Sequence, residues 1–292
     1  MASLKEIKGR IASVKSTQKI TSAMKMVASA KLRKAQSQME SFLPYQRKLN
    51  EMLSSFLSST TDFDSNLAEK REIKRVAIVV LSSNSSLCGA FNSNSQKLLR
   101  DTLDKYKQLE YEAIDIYPIG KKIEEAVKKM NLPFQIKGSY IELMDKPDFE
   151  GAKSVANDLI HDFLQHKIDK VELLYNHYKS TASQIPISES YLPIDLSVSS
   201  EKASTLQTDY IIEPDKATLL HSLIPKSLNG KIYAVLLDSA AAEQAARTVA
   251  MQIATDNASE ILEDLTIQYN KQRQQAITNE LLDIVSGSEA LK

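Results

Sequence analysis

The sequence predicts an α/β-class chain: a long antiparallel coiled coil of N- and C-terminal helices with an inserted Rossmann-like α/β domain. Three observations carry this. Apolar residues recur at helical spacing over the first ~55 and last ~75 residues, strand and helix patterns alternate between them, and glycine is scarce, 7 in 292. So few glycines leave little scope for the tight turns of an all-β fold, and average chains hold roughly 7%.

The first helix begins with Leu4, Ile7, Ile11 and Val14 at spacings of 3, 4 and 3, a coiled-coil seam. Continued, that register passes through Gln18, Thr21, Lys25, Ala28, Leu32, Ala35, Met39 and Phe42, so the seam turns polar between 18 and 25. Ile20, Met24 and Val27 form a second stripe on another face, which implies two sets of neighbours. Pro44 can kink the helix, but Leu49, Leu53 and Phe56 restore the spacing, giving a first segment over 1–57. Residues 57–72, rich in Ser, Thr, Asp and Asn, read as a linker.

The period then changes to that of an α/β domain over 73–213. Val76–Leu81 is a buried-strand run, Ser82–Gly89 a polar loop and Asn94–Leu109 a helix. Ala113–Pro118 is a second strand, Gly120–Met130 a helix, Phe134–Gly138 a third strand and Asp148–His166 a helix. Lys170–Lys179 is a fourth strand, Pro186–Leu196 an extended stretch broken by Pro193, and Tyr210–Glu213 a closing strand. Such alternation favours a mostly parallel sheet. Pro214 and Asp215 open the last segment, 214–292. One face of its helix carries Ala246, Val249, Ile253, Ala258, Ile261 and Leu265, resumed by Ile277, Leu281, Ile284 and Val285 around the polar run Gln268–Gln275. Lys231–Val285 alone would span ~80 Å, and antiparallel packing against the first helix is the natural way to bury both seams.

Charge is segregated although 37 basic and 37 acidic residues cancel. Residues 1–36 hold nine basic residues against Glu6, and residues 240–292 hold four basic against eight acidic. The two ends therefore attract, and nonspecific nucleic-acid binding is disfavoured. The basic group Lys25, Lys31, Arg33 and Lys34 has no aromatic neighbour within residues 1–41 to stack on bases, so a solvated helix face or one turned to an acidic partner suits it better. A basic, Ser-rich start also has the composition of a mitochondrial transit peptide, but its periodicity runs on past any cleavage-like point. No apolar run approaches a bilayer-spanning length, Val76–Leu81 and Ile232–Leu237 stopping at six, so attachment to a membrane would go through a partner.

The residues supply no catalytic constellation. The loop Ser82–Gly89 sits where a phosphate loop would, but has one glycine and neither G-x-G-x-x-G nor G-x-x-x-x-G-K-[ST]. Cys88, the single cysteine, excludes an internal disulfide and reads as a small buried residue rather than a nucleophile. His161, His166, His177 and His221 lack metal-site spacing, and Glu263 and Asp264, adjacent on a helix, do not face one another. No cofactor and no metal are expected. On the residues alone, a static coiled-coil adaptor with a globular insert and a small α/β enzyme with helical arms both stand as readings.

The run Ile11–Gln36 closely resembles the N-terminal helix of gamma subunits of F-type ATP synthases. Ala254–Ala258, Leu265–Lys271, Arg273, Gln274, Ala276–Thr278, Glu280 and Ile284–Gly287 match the family at the far end, and Leu87–Asn92 in the centre. The resemblance implies a non-catalytic central-stalk rotor, coupling ion-driven rotation of a membrane-embedded c-ring to conformational changes of the catalytic beta subunits. It implies that the coiled coil lies inside the ring of alpha and beta subunits, with an epsilon subunit and the c-ring as further partners. Membrane contact would come only through the c-ring, at the cytoplasmic face of a bacterial inner membrane. By the same resemblance Met24, Lys25, Arg273 and Gln274 face loops of the beta subunits, and Thr278, Glu280 and the last turns sit in an upper bearing. Three departures stand out. Ser83–Gly89 replaces the family's S-D-R-G-L-C-G and loses its acid, base and first glycine; Asn229-Gly230 is expected to interrupt the last helix; and the cysteine-bearing insert of chloroplast relatives is absent.

Overall fold

The computed structural model describes residues 3–58, 66–69, 71–107, 113–130, 134–194, 212–213 and 215–290. They divide into two compact units, Met1–Ala28 with Thr248–Lys292, and Ser29–Arg247. Two helices cross that division: α1, Leu4–Ser58, and the last helix, α6, Lys216–Ala290. Among the described residues no helix is long and apolar enough to cross a membrane.

In the first unit the segments pair antiparallel. Gln18 Nε2 donates to Ser259 Oγ at 2.8 Å, and three residues further on Thr21 Oγ1 meets Thr255 Oγ1 at 2.8 Å. Every position of the expected α1 seam in this unit, Leu4 through Ala28, is buried or half-buried, polar members included. The α6 seam differs from the expected one. Its covered positions include Met251, Thr255, Ala258, Leu262, Leu265 and Tyr269, whereas Ile253 and Ile261 are exposed. The helix carries two apolar stripes, and the one holding most isoleucine is not the one facing α1.

The second unit contains a five-stranded sheet of order β3-β2-β1-β4-β5. β1 (Arg75–Leu81) pairs parallel with β2 (Ala113–Ile119) and β4 (Lys170–Ser180), and β2 parallel with β3 (Phe134–Ile136). β5 (Ser183–Leu192) runs antiparallel to β4. The mostly parallel sheet is as expected, and β1 reads as an unbroken apolar run because both of its faces are covered. Val76, Ile78 and Val80 face α2 (Phe91–Lys107) and α3 (Lys121–Lys129), packing on Leu99, Leu103, Ile123 and Val127. Ala77, Val79 and Leu81 face α5 (Phe149–Leu164) and the helical ends that carry Leu49, Leu53, Leu220, Ile224 and Leu228. Asp148 caps α5 by accepting from Gly151 N at 2.6 Å.

Several boundaries shift. A short helix, α4 (Glu142–Asp145), follows β3 where no element was expected. Of the expected strand Tyr210–Glu213, Tyr210 and Ile211 lie outside the described residues, and Ile212 and Glu213 are not strand. Within the linker reading, 59–65 and 70 also lie outside them. The expected break at Asn229-Gly230 does not occur, for α6 is continuous there. A Cβ on Gly230 would stand 1.9 Å from Gln46 Oε1, so the glycine marks a close approach of α1. Pro44 and Pro225 likewise lie inside unbroken helices.

Candidate partner-contact surface

In the first unit, α1 presents its second stripe outward. Ile20 is 56%, Met26 65% and Val27 58% exposed, while Met24 and Lys25 are half-buried beside the seam. Ile20 and Val27 of that stripe stay uncovered by the described residues of this unit. Exposed apolar side chains grouped on one helix face make this a candidate interaction surface.

The α6 residues singled out by the sequence lie elsewhere. Arg273, Gln274, Thr278 and Glu280 are all exposed, as is every residue from Ile277 to Ser288. The antiparallel pairing sets Met24 and Lys25 beside Met251, ~30 Å along α6 from Arg273 at 1.5 Å per residue. The six candidates therefore form two separate levels rather than one cluster. At the second level Ile277, Leu281 and Ile284 recur at spacings of four and three on one stripe. Arg273 and Glu280 border this stripe on one side, and Gln274 and Val285 on the other.

A groove of about 680 Å³ separates these levels, lined on α1 by Glu6, Gly9, Arg10, Ser13 and Val14 and on α6 by Ile261, Asp264, Leu265 and Gln268. The sequence reading missed it. Its signal is the small pair Gly9 and Ser13, one turn apart beside the seam.

The second unit shows why its sheet is not an open nucleotide site. In parallel sheets of this kind ligands bind beyond the carboxyl ends of the strands where the order reverses, here between β1 and β4. That place is filled by α6: Ala242 and Ala246 pack on Cys88 and Phe91. Arg247 donates through Nη1 to the Ser86 carbonyl and through Nη2 to Glu243 Oε1 at 2.6 Å. Burial raises the Glu243 carboxyl above its ordinary value, and Arg247 offsets only part of that. The loop after β1 also satisfies the start of α3. Lys121 N donates to Asn84 Oδ1, Lys122 N to Ser83 O and Ile123 N to Ser82 Oγ, so the first three backbone N–H groups of α3 are already taken by the protein itself. Asn84, which stands where the family has an acid, thus serves as a neutral cap.

Cys88 is buried and receives Asn92 Nδ2 on its sulfur at 3.1 Å. His177 Nδ1 pairs with Asp238 Oδ2 at 2.6 Å, and Tyr178 N donates to Asp238 Oδ1 at 2.8 Å, fixing the end of β4 on α6. Among the described residues no group of three or more His, Cys, Asp or Glu is placed to hold a metal ion.

Against known proteins, a family model described as ATP synthase matches residues 3–291. The chain is 61% identical to an ATP synthase gamma chain of Azobacteroides pseudotrichonymphae over 100% of both chains. It is 58% identical to an ATP synthase gamma chain of Bacteroides fragilis over 99% of this chain and 100% of the relative. Among solved structures, a chain of the Tetrahymena thermophila mitochondrial ATP synthase central stalk and c-ring superposes with a TM-score of 0.56 at 25% identity, covering 80% of this chain and 99% of that one. A chain of the Euglena gracilis mitochondrial ATP synthase, from an OSCP, F1 and c-ring assembly, gives a TM-score of 0.66 at 22% identity over 99% and 94%. The second likeness is one of fold.

Proposed function

The chain belongs to the ATP synthase gamma-chain family, and from that premise we propose how a central-stalk subunit of the F-type enzyme works through the surfaces just described. Residues 1–57 and 214–292 act as the two arms of the stalk and 73–213 as its globular foot. The observation that carries the reading is the pair of exposed levels on the first unit, one at Ile20 and Val27, with Met24 half-buried beside them, and one at Ile277, Leu281 and Ile284.

The partners are the alpha and beta subunits around the arms, with the epsilon subunit and the c-ring at the foot. Met24 and Lys25 meet beta at the first level, Arg273 and Gln274 at the second, and Thr278 and Glu280 lie in the bearing above. An asymmetric rod distinguishes three chemically identical sites only by presenting different contacts to each, so each orientation must favour a different beta conformation by several kcal/mol. A polar seam such as Gln18–Ser259 and Thr21–Thr255 leaves the apolar stripes free for contacts that break and reform on rotation.

Catalysis belongs to beta, not to this chain. The filling of the strand-end crevice by Ala242 and Ala246 supports that division. The chain reaches the cytoplasmic face of the inner membrane peripherally, through the c-ring. Co-expression with the alpha and beta subunits of the same organism, then size-exclusion chromatography and an ATPase assay on the peak, tests the reading. A single large complex whose multi-site hydrolysis disappears without this chain is expected. Elution of the chain alone, with hydrolysis indifferent to it, would overturn it.

A further inference from the structure

Within the second unit the apolar packing of α1 on α6 includes a buried amide that bonds across to the other helix. Gln46 is 7% exposed, one turn before Leu49 on its own helix, and faces the stretch of α6 at Ser227 and Gly230 that is flanked by the buried Leu228 and Ile232. Its Nε2 donates to the Ser227 carbonyl at 3.1 Å and to Asn50 Oδ1 at 3.4 Å, and Ser227 Oγ donates to the same Asn50 oxygen at 2.8 Å. Its Oε1 finds no donor among the described residues and lies against the bare backbone of Gly230. A buried amide thus crosses from one helix to a carbonyl on the other, at the one turn where the facing residue has no side chain.

We propose that Gln46, Asn50, Ser227 and Gly230 form a register lock that holds α1 and α6 at one axial setting at the base of the stalk, and that these are positioning residues for torque transmission. Two helices joined only by apolar contacts have neighbouring settings, one helical step apart, that bury similar area. A polar knot removes that degeneracy. Slippage by one step would bring a side chain over Gln46 where Gly230 now is, and would leave the buried Gln46 amide without its carbonyl on the other helix, while the exposed Asn50 would turn to water. The arrangement costs stability and gains a single setting, which a shaft under torque needs and a static support does not.

The inference rests on the rotor reading, and the test separates the two. The complete enzyme reconstituted in sealed vesicles is assayed for ATP hydrolysis and for ATP-driven ion pumping with the native chain, Gly230→Ala, and the double variant Gln46→Ala with Gly230→Ala. Spin labels at the exposed Lys48 and Lys226 report the distribution of separations between the helices. Gly230→Ala alone should impair assembly by steric conflict with Gln46. The double variant relieves that conflict, so it should assemble and hydrolyse as the native enzyme does, with a broadened label distribution and several-fold less pumping per ATP. A double variant with a native distribution and native pumping would overturn the lock, while native pumping in the parallel native sample keeps the rotor reading intact. Absence of chain-dependent pumping in that native sample would overturn the rotor reading and the lock with it.

Discussion

Thr21 and Thr255 share a hydroxyl–hydroxyl hydrogen bond of 2.8 Å in the middle of the antiparallel seam, at positions where a coiled coil ordinarily places leucine or valine. One hydroxyl donates to the other, which in turn donates to a carbonyl of its own helix, Gln18 for Thr21 or Met251 for Thr255. Replacing Thr21 alone by Val removes the cross-helix bond and should cost about 0.5–1.5 kcal/mol. Replacing both should recover most of that loss, because two apolar groups of the same shape leave nothing unpaired. Urea unfolding of the single and double variants measures the difference, and strictly additive losses would show that the two hydroxyls do not interact.

The buried pair Glu243 and Arg247 makes a prediction with a pH signature. Arg247→Ala leaves Glu243 without its cation and should destabilise the chain by about 3–5 kcal/mol at neutral pH. In the native chain burial raises the Glu243 carboxyl above its ordinary 4.5. A group whose folded value is raised contributes stability that is present below the unfolded value and is lost as the pH climbs through the folded one. The stability of the native chain relative to Glu243→Gln should therefore fall as the pH rises above 4.5. A flat difference across that window would contradict the raised value.

Much of this was legible in the residues. The α1 seam followed from apolar spacing alone, including its polar stretch, because a long helix with one covered face leaves a regular imprint. The strands β1, β2 and β4 followed from β-branched runs bounded by loops. What spacing could not decide was which of two apolar stripes on α6 faces inward. Ile253 and Ile261 compete with Met251, Ala258 and Leu265, and only the partner helix breaks the tie. Gly230 misled for a related reason: its propensity is poor for a helix, while its use is to admit Gln46, 184 positions away. The candidate contact residues became recognisable through motif resemblance, and the crevice filled by α6 only through tertiary packing.

Two glycines of opposite character test the backbone argument. Gly120 has φ of +108° and a Cβ there would stand 2.1 Å from the Ser82 carbonyl oxygen. Gly120→Ala should cost at least ~1–3 kcal/mol for its conformation alone, with more from the collision. Gly9 has nothing within 4 Å of the added methyl and lies inside α1. Gly9→Ala should stabilise the helix by about 0.5–1 kcal/mol. Thermal melts of the two variants should move in opposite directions, and a shared sign would refute the assignment of one of them.

The stripe of Ile277, Leu281 and Ile284 separates a role in folding from a role in assembly. These side chains are 47%, 58% and 67% exposed, so truncating them removes little that the folded chain uses. Changing all three to Ala should leave the unfolding free energy of the isolated chain within about 0.5 kcal/mol of native. If the ring of alpha and beta subunits covers them, each loses up to about three buried methylenes at ~0.8 kcal/mol apiece, and affinity for the ring should drop at least about a hundredfold. Titration of a labelled chain into the alpha–beta ring, read alongside the urea curve, distinguishes the cases. Loss of chain stability would mean that the stripe is covered within the molecule. Unchanged affinity would remove the last turns of α6 from the bearing.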